Sequence, residues 1–417
     1  MAQTPTPKNI VILGGSYAGV STAHYLLRHV LPQLPAKDKH RIVLVSASSQ
    51  VMCRPACPRA LISHDMFDQA KLFVDIQSVF QQYSKNTFRF VHGAATALDL
   101  SSRTVTVILA GKADIESIGF HALVIATGAS TPSPLLGLNR DSNALRQSWN
   151  TFREALPQAK SIVIAGGGPA GVETAGELGE YLNGRPGWLG RSPEKPRVSI
   201  TLVTSGSELL PALRPSIARK AEGYLADLGV TVLKNTRVES VSPAGAGIED
   251  VAARAKLSLS DGQVLEADLY IPATGTRPST GFIPSDSGIL APDGRIATNP
   301  ATLRVDAAGP RVYALGDVSS FARPAVHNVL AAVPVLCANV RRDLLRASEG
   351  DAPPGDDKVF EEDVRETQMV PIGKGAGVGA GMGFALPGFV VRLVKGRDYW
   401  LWTTGRLWSG QQWAKES

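Results

Sequence analysis

Cysteines, aromatic residues and long apolar runs are all scarce in this chain of 417 residues. Its three cysteines are too few for a scaffold held together by disulfides. No apolar run approaches the roughly 18 residues that cross a bilayer, and the polar first residues lack the apolar core of a signal peptide. Ala2 stands where an N-myristoylated chain has glycine, which excludes that lipid anchor. These absences predict a cytoplasmic globular protein without a membrane span.

The chain is basic, but its positive charges are not concentrated in any one stretch. The formal net charge is +6, yet the lysines and arginines are scattered, and no basic stretch carries interleaved aromatic residues. That distribution argues against nucleic-acid binding as a main function, and no metal site is expected. Hydrophobic residues make up 44% of the chain, enough for the cores of two or three domains.

A glycine fingerprint occurs twice, each time after an apolar run. The first copy is Gly14-Gly15-Ser16-Tyr17-Ala18-Gly19, and the second is Gly166-Gly167-Gly168-Pro169-Ala170-Gly171. Between a buried strand and a helix, such glycines allow a tight turn, close approach of the backbone to a pyrophosphate, and close packing of helix on strand. Two copies predict two bound dinucleotides, as in a flavoenzyme that passes hydride from a nicotinamide to a flavin.

The order of elements also repeats at the scale of a domain. The first unit ends on Ala122–Gly128 and the second on Leu269–Gly275, and both endings read Ala-Thr-Gly after an apolar strand. A later phrase, Arg311–Asp317, completes the first unit. The sequence therefore predicts an α/β fold with two Rossmann-like dinucleotide-binding domains. The second domain (141–279) is inserted into the first (1–140 and 280–347), and a small C-terminal segment (348–417) follows. Surface connections are predicted over 183–197 and 348–357.

Polar residues stand at the ends of the predicted strands. Asp317, after Gly316, can accept a hydrogen bond from a ribityl hydroxyl while the following helix directs its N-terminus at a phosphate or a flavin carbonyl. Thr127 and Gly128 lie at the end of another strand of the first unit. These positions suit FAD as one of the two dinucleotides.

In this order, the motifs resemble those of the flavoproteins with two dinucleotide-binding domains, which have a glutathione-reductase-like fold. Within them, the tail resembles the apoptosis-inducing-factor-like branch, of the AMID or ferroptosis-suppressor type. The residues that carry this likeness are Gly377-Val378-Gly379 and Val390–Asp398 in the tail, and Pro58-Arg59-Ala60 after the second strand. The likeness covers nearly the whole chain.

The resemblance implies an FAD-dependent NAD(P)H oxidoreductase that reduces a quinone-like acceptor. It assigns the first domain to FAD and the second to NAD(P)H. FAD contacts are implied for the first fingerprint and for Arg59, Ala95, Thr127, Gly128, Gly316 and Asp317. The nicotinamide nucleotide is implied at Gly166, Gly168, Gly171 and Glu173.

Two departures from the expected pattern concern the ends of the second strand of each domain. The first such strand ends at Ser46, where an acid normally binds the ribose of the adenosine. The equivalent strand of the second domain ends at Val203-Thr204-Ser205, again without an acid. The first fingerprint also has Ser16 where the middle glycine usually stands. The choice between NADH and NADPH therefore stays open.

Three side chains are candidates for chemistry beyond binding. Cys53 and Cys57 follow the second strand, where related disulfide reductases carry redox cysteines, so a thiol mechanism at Cys57 competes with a role as small apolar fillers. Nearby arginines would favour a thiolate there. His327, shortly after Asp317, could donate a proton to a quinone or a flavin, or simply terminate a helix.

The last 18 residues contain four tryptophans: Trp400, Trp402, Trp408 and Trp413. Together with neighbouring arginines they suit peripheral contact with an intracellular membrane. They suit a protein interface or a core contact with the first domain equally well, and the sequence leaves these three alternatives open.

The electron acceptor is also open at this stage. A quinone is the first hypothesis. A flavoenzyme acting on a specialised metabolite, and a redox sensor whose bound nucleotide changes its partners, are alternatives that the same fold accommodates.

Overall fold

The structure, a computed structural model, describes residues 7–35, 37–111, 114–185, 196–349 and 355–416. Residues 186–195 of the predicted 183–197 connection and residues 350–354 of the predicted 348–357 connection lie outside the described residues.

The described residues form strands and helices in an alternating α/β order. The strands are β1 (Lys8–Leu13), β2 (His40–Ser46), β3 (Gln50–Met52), β4 (Phe73–Asp75), β5 (Phe88–Asp99), β6 (Thr104–Leu109), β7 (Ile115–Gly119), β8 (Ala122–Ile125), β9 (Ala129–Ser130), β10 (Ser161–Ala165), β11 (Ser199–Val203), β12 (Val230–Leu233), β13 (Val238–Ser242), β14 (Ala255–Leu259), β15 (Val264–Ala267), β16 (Leu269–Pro272), β17 (Arg277–Pro278), β18 (Val312–Ala314), β19 (Gln368–Ile372), β20 (Ala376–Gly381) and β21 (Phe384–Ala385). The α-helices are α1 (Tyr17–Tyr25), α2 (Cys57–Ala60), α3 (Gln69–Leu72), α4 (Ile76–Val79), α5 (Ser142–Ala155), α6 (Pro169–Asn183), α7 (Pro215–Asp227), α8 (Val326–Glu349), α9 (Gly388–Val391) and α10 (Leu401–Trp408).

The first sheet carries the first fingerprint at its centre. Its strand order is β18-β8-β1-β2-β5-β6-β7, and β18, β8, β1, β2 and β5 run parallel. Strand β1 is buried from Ile10 to Leu13, because an apolar run suits a strand that is covered on both faces. Helices α1 and α8 pack together beside it. Strand β18 lies in this sheet although it follows the second unit in sequence.

The second sheet repeats the arrangement around the second fingerprint. Strands β12, β11, β10 and β16 are parallel in that order, and β10 leads directly into α6. A three-stranded antiparallel sheet of β13, β14 and β15 packs against one face of this second sheet, through a common apolar cluster that includes Val163 and Leu257. The observed fold is thus the predicted α/β fold, with two Rossmann-like units.

The C-terminal segment joins both units. Strands β19 and β20 form an antiparallel pair that packs against α6 and α7. Trp408 and Trp413 are 1% and 5% exposed and lie in the core that contains α1. His24 Nε2 donates to the Trp408 carbonyl at 2.8 Å, and His29 Nε2 to the Trp413 carbonyl at 2.8 Å. Of the three alternatives for these two tryptophans, the structure supports the core contact.

Candidate active site

A single cavity contains both fingerprints. It has a volume of about 1440 Å³ and is lined by the turns that follow β1 and β10 and by the ends of β2 and β11. Single ligands usually occupy pockets of roughly 300–1000 Å³, so this cavity has room for more than one. It lies at the carboxyl ends of the parallel strands of both sheets, where open α/β sheets bind their ligands.

The first fingerprint forms a turn that only glycine fits. Gly14 has a φ of +114°, and a Cβ there would lie 2.1 Å from the Ala126 carbonyl oxygen. A Cβ on Gly19 would lie 1.7 Å from the Gly14 carbonyl oxygen, so this glycine permits α1 to pack closely on its own turn. Ser16 immediately precedes α1 and its side chain makes no capping hydrogen bond. The serine therefore leaves the backbone turn intact.

The second fingerprint has the same geometry. Gly166 has a φ of +125°, and a Cβ there would lie 2.2 Å from the Ala273 carbonyl oxygen. A Cβ on Gly171 would lie 1.9 Å from the Gly166 carbonyl oxygen. Two cradles built alike from separate segments of the chain are what two dinucleotides require.

The hydroxyl residues at the ends of β2 and β11 occupy corresponding places. A Cβ on Gly15 would lie 2.5 Å from Ser46 Oγ, and a Cβ on Gly167 would lie 2.4 Å from Thr204 Oγ1. Ser46 donates its hydroxyl to the Ser48 carbonyl at 2.8 Å. Both side chains thus lie beneath the middle of a fingerprint turn and support it, in the position where the sequence pattern lacks its acid.

The structure brings most of the residues predicted from sequence to the wall of this cavity. They are Gly14, Gly15, Ser16, Tyr17, Ala18, Ala95, Thr127, Gly128, Gly166, Gly168, Glu173, Gly316 and Asp317. Gly19 and Gly171 do not line it and serve the packing just described. Asp317 lies 3.5 Å from an Arg54 nitrogen, and Arg54 also donates to the Ala129 carbonyl at 3.1 Å.

Arg59 lies elsewhere, which corrects its assignment as a flavin contact. Its side chain is 2% exposed, does not line the cavity, and forms two hydrogen bonds with Glu177 of α6, at 2.8 Å from Nε and 2.7 Å from a terminal nitrogen. Tyr399 donates its hydroxyl to the same carboxylate at 2.9 Å. Arg59 therefore links α2, α6 and the C-terminal segment through buried hydrogen bonds.

Neither cysteine after β2 has the environment of a reactive thiolate. Cys53 and Cys57 are free, buried and absent from the cavity wall. Burial raises the pKa of Cys53 to about 11 and raises the pKa of Cys57 further. Cys53 donates to the Tyr399 carbonyl at 3.3 Å and accepts from the Tyr17 hydroxyl at 3.4 Å. Of the two alternatives for Cys57, this burial supports the small apolar filler, because a buried neutral thiol is a poor nucleophile.

His327 also lies outside the cavity, at the exposed start of α8. Desolvation and the neighbouring Arg323 lower the pKa of its imidazole. Val326 and Val329 of the same helix do line the cavity. The helix thus presents an apolar face to the site, and His327 is not placed to give a proton there.

The wall of the cavity also contains an ion pair that the sequence did not indicate. Glu173 and Lys395 both line the cavity, their side chains are 4% and 8% exposed, and Lys395 Nζ donates to Glu173 Oε1 at 2.5 Å. Lys395 also donates to the Met369 carbonyl at 3.0 Å. Burial raises the pKa of Glu173 to about 7, against the opposing effect of Lys395. The pair is separated by 222 positions in sequence, and no local motif marks the lysine.

Taken together, the fold and the cavity define a flavin- and nicotinamide-dependent oxidoreductase. Residues 8–335 match the model of the pyridine nucleotide-disulphide oxidoreductases, and the chain belongs to that family. It is an oxidoreductase that uses FAD and NAD(P)H. The glycine cradles fit both cofactors, since each leaves no room for a Cβ beside the strand-end backbone.

Named relatives agree with this assignment. The chain is 62% identical to oxidoreductase phnG of Penicillium herquei, with 100% of both chains covered. It is 33% identical to oxidoreductase ptaL of Pestalotiopsis fici, over 93% of this chain and 95% of that one. Human ferroptosis suppressor protein 1 is 24% identical over 95% and 94%. The solved structure of NDH2 from Plasmodium falciparum in complex with NADH has the same fold, with a TM-score of 0.65, 14% identity, and coverage of 98% of this chain and 99% of that one.

Proposed function

We propose that the chain transfers a hydride from NAD(P)H to FAD and passes the electrons to a quinone-like acceptor. The observation that carries this proposal is the buried pair of Glu173 and Lys395 in the wall of the cavity that holds both fingerprints. When bound, FAD accepts the hydride and returns two electrons to the acceptor. NAD(P)H supplies two electrons and one proton, so conversion of a quinone to a quinol needs one further proton.

The protein residues have two tasks in this scheme. The fingerprint turns would hold the two pyrophosphates at the shared cavity, and positioning of the reacting groups is the main contribution of a protein to hydride transfer. Glu173 and Lys395 hold exchangeable protons at the cavity wall, with the pKa of Glu173 raised to about 7 by burial. A group that titrates near neutral pH suits the delivery of the further proton.

The environment of the thiols supports direct delivery of electrons to a small acceptor. Disulfide reductases of this family pass electrons through a cysteine pair, and here Cys53 and Cys57 are buried away from the cavity with raised pKa values. An acceptor that takes electrons from the flavin itself requires no such relay. A quinone has the planar apolar shape that an apolar wall such as Val326 and Val329 accommodates.

The test is anaerobic stopped-flow spectroscopy of the flavin-loaded protein. Mixing with NADH or NADPH is expected to bleach the flavin absorbance, and mixing the reduced protein with a panel of quinones is expected to restore it. Bleaching that no quinone reverses would point to a specialised metabolite as substrate. Absence of bleaching with either nucleotide would contradict the oxidoreductase scheme and favour a sensor.

The exposed part of the C-terminal segment supports peripheral contact with an anionic lipid surface. Phe389, Leu393 and Trp402 are 66%, 61% and 58% exposed, and Trp402 donates to the Val394 carbonyl at 3.3 Å, which places its ring beside the turn that carries Leu393. The same segment carries three exposed arginines: Arg392, Arg397 and Arg406. Apolar and basic side chains on one surface favour the interface of a charged bilayer. No helix among the described residues is long and apolar enough to cross a membrane.

Point variants test this contact better than truncation, because Trp408 and Trp413 belong to the core. Simultaneous Phe389→Ser, Leu393→Ser and Trp402→Ser substitution is expected to abolish flotation with phosphatidylserine vesicles. A matched control replaces Val359 and Val364, which are 56% and 73% exposed and lie before β19. Equal flotation of both variants would remove the membrane from the proposal and leave the oxidoreductase scheme untouched.

A further inference from the structure

The charged side chains of the cavity are largely paired with one another. Arg54 pairs with Asp317 and Lys395 with Glu173, at 3.5 and 2.5 Å. Three further charged residues line the cavity, and the described part of the chain gives them no ion pair: Arg140, Glu208 and Arg237. A charge that lines a ligand cavity without a protein partner is available to a ligand, so these three bear on which nucleotide the cavity takes.

Arg237 lies beside the end of β11. In a Rossmann-like unit this strand end meets the adenosine ribose, and an acid there binds the 2′-hydroxyl of NADH while a nearby arginine accommodates the 2′-phosphate of NADPH. Here β11 is followed by Thr204 and Ser205, with no acid. The Thr204 hydroxyl accepts a hydrogen bond from the Gly206 backbone N–H at 3.3 Å. The Ser205 hydroxyl is therefore the next polar side chain after β11 that can contact a ligand.

Backbone hydrogen bonds hold the loop before Arg237 across this strand end. The Thr236 N–H donates to the Thr204 carbonyl at 3.0 Å, and the Asn235 N–H donates to the Gly206 carbonyl at 3.1 Å. Arg237 follows directly, and its own N–H donates to Ser260 Oγ at 3.1 Å. Its backbone is thus fixed on both sides at a position where the residue lines the cavity.

We propose that Arg237, with Ser205, binds the 2′-phosphate of NADPH and makes NADPH the preferred hydride donor. The proposal rests on the nicotinamide site of the proposed function. A guanidinium forms charge-assisted and bidentate hydrogen bonds with phosphate, which a hydroxyl cannot match. Neither Thr204 nor Ser205 is an acid that would repel the phosphate directly at the strand end.

Glu208 is the charge that could reverse this preference. It lines the same cavity, and its Oε2 is buried without a hydrogen-bond partner in the described residues. Its neighbours tie it to the fingerprint turn, since the Leu210 N–H donates to the Gly167 carbonyl at 2.8 Å. We assign Glu208 to a ribose hydroxyl near that turn and Arg237 to the phosphate at the strand end.

The test measures binding of nucleotide fragments to the oxidised, flavin-loaded protein by calorimetry, which requires no turnover. The probes are 2′,5′-ADP and 5′-AMP, which differ only in the 2′-phosphate. Arg237→Gln is expected to weaken 2′,5′-ADP binding roughly 10- to 100-fold and to change 5′-AMP binding less than about twofold. Arg237→Lys keeps the charge but not the planar fork and is expected to lie between the two.

Arg219→Gln is the matched control, because Arg219 is an exposed arginine of α7 that does not line the cavity. It is expected to leave both affinities unchanged. Loss of both probes in Arg237→Gln, or of neither, would overturn the assignment. So would a large gain in 2′,5′-ADP affinity in Glu208→Gln with no effect of Arg237→Gln, since Glu208 would then be the group that faces the 2′ position. Each of these outcomes is independent of whether a quinone reoxidises the flavin.

Discussion

The pair formed by Arg59 and Glu177 gives the sharpest prediction, because sequence and structure assign Arg59 different roles. Both side chains are under 5% exposed and are joined by two hydrogen bonds. Arg59 also donates to the Arg397 carbonyl at 3.2 Å, and Tyr399 donates to Glu177. The pair thus connects a helix of the first unit, a helix of the second unit and the C-terminal segment.

Replacing Arg59 with methionine keeps an apolar stem and removes the cation. Glu177 is then a buried carboxylate without a counter-charge, which costs about 3–5 kcal/mol. For a chain of this size, at about 2 °C per kcal/mol, the thermal midpoint is expected to fall by roughly 6–10 °C. The double variant Arg59→Met, Glu177→Met removes both charges and is expected to recover most of the loss, because a buried ion pair and an apolar pair of similar volume differ little in stability.

Differential scanning fluorimetry measures the midpoint, and the absorbance ratio of flavin to protein measures cofactor content. Arg365→Met is the control, since Arg365 and Asp363 form an ion pair with side chains 56% and 41% exposed, and a solvent-exposed ion pair contributes little to stability. A variant Arg59→Met with an unchanged midpoint and no bound flavin would refute the structural role and restore the flavin contact that the sequence suggested.

Three further predictions follow from the cavity. Gly19→Ala is expected to abolish flavin retention, whereas Gly171→Ala is expected to retain flavin but to lose bleaching by NAD(P)H, because the added Cβ would lie 1.7 and 1.9 Å from a backbone oxygen of the first and second turn respectively. The rate of quinone reduction is expected to change with pH near 7 and to lose that dependence in Glu173→Gln, since burial raises the pKa of Glu173 from 4.5 to about 7. The folded protein then binds the extra proton, so the unfolding free energy falls as the pH rises between these values, and urea titrations of the same variant are expected to lack that slope. Cys57→Ser is expected to leave flavin bleaching and turnover unchanged, and a tenfold loss in stopped-flow rates would revive the thiol mechanism.

The parts of the site that the sequence predicted are those with a local cause. A fingerprint turn needs glycine at fixed spacings, so Gly14 and Gly166 could be placed from neighbouring residues alone. The ends of parallel strands meet at one edge of a sheet, so Asp317 could be assigned to that edge as well.

What the sequence could not predict depends on contacts between distant segments. Arg59 stands in a motif that resembles a flavin-contacting stretch, yet its orientation is set by Glu177, which lies 118 positions away. Lys395 reaches the cavity from the last part of the chain, and nothing in its neighbours distinguishes it from an exposed lysine. Whether the Cys57 thiol can react depends on its burial. The spacing of a residue from the end of a strand does not reveal how deeply its side chain is buried.

The anchoring of the tail to α1 has a consequence for the synthesis of the protein. His24 and His29 lie within the first thirty residues, and each bonds a carbonyl 384 positions further along the chain. Until the C-terminal segment has been synthesised, the apolar surface of α1 that receives Trp408 is not covered by it, and Lys395 has not yet reached the cavity. The nascent chain therefore cannot complete the cavity wall before Lys395 has emerged, and the surface of α1 that receives Trp408 stays uncovered until Trp408 follows.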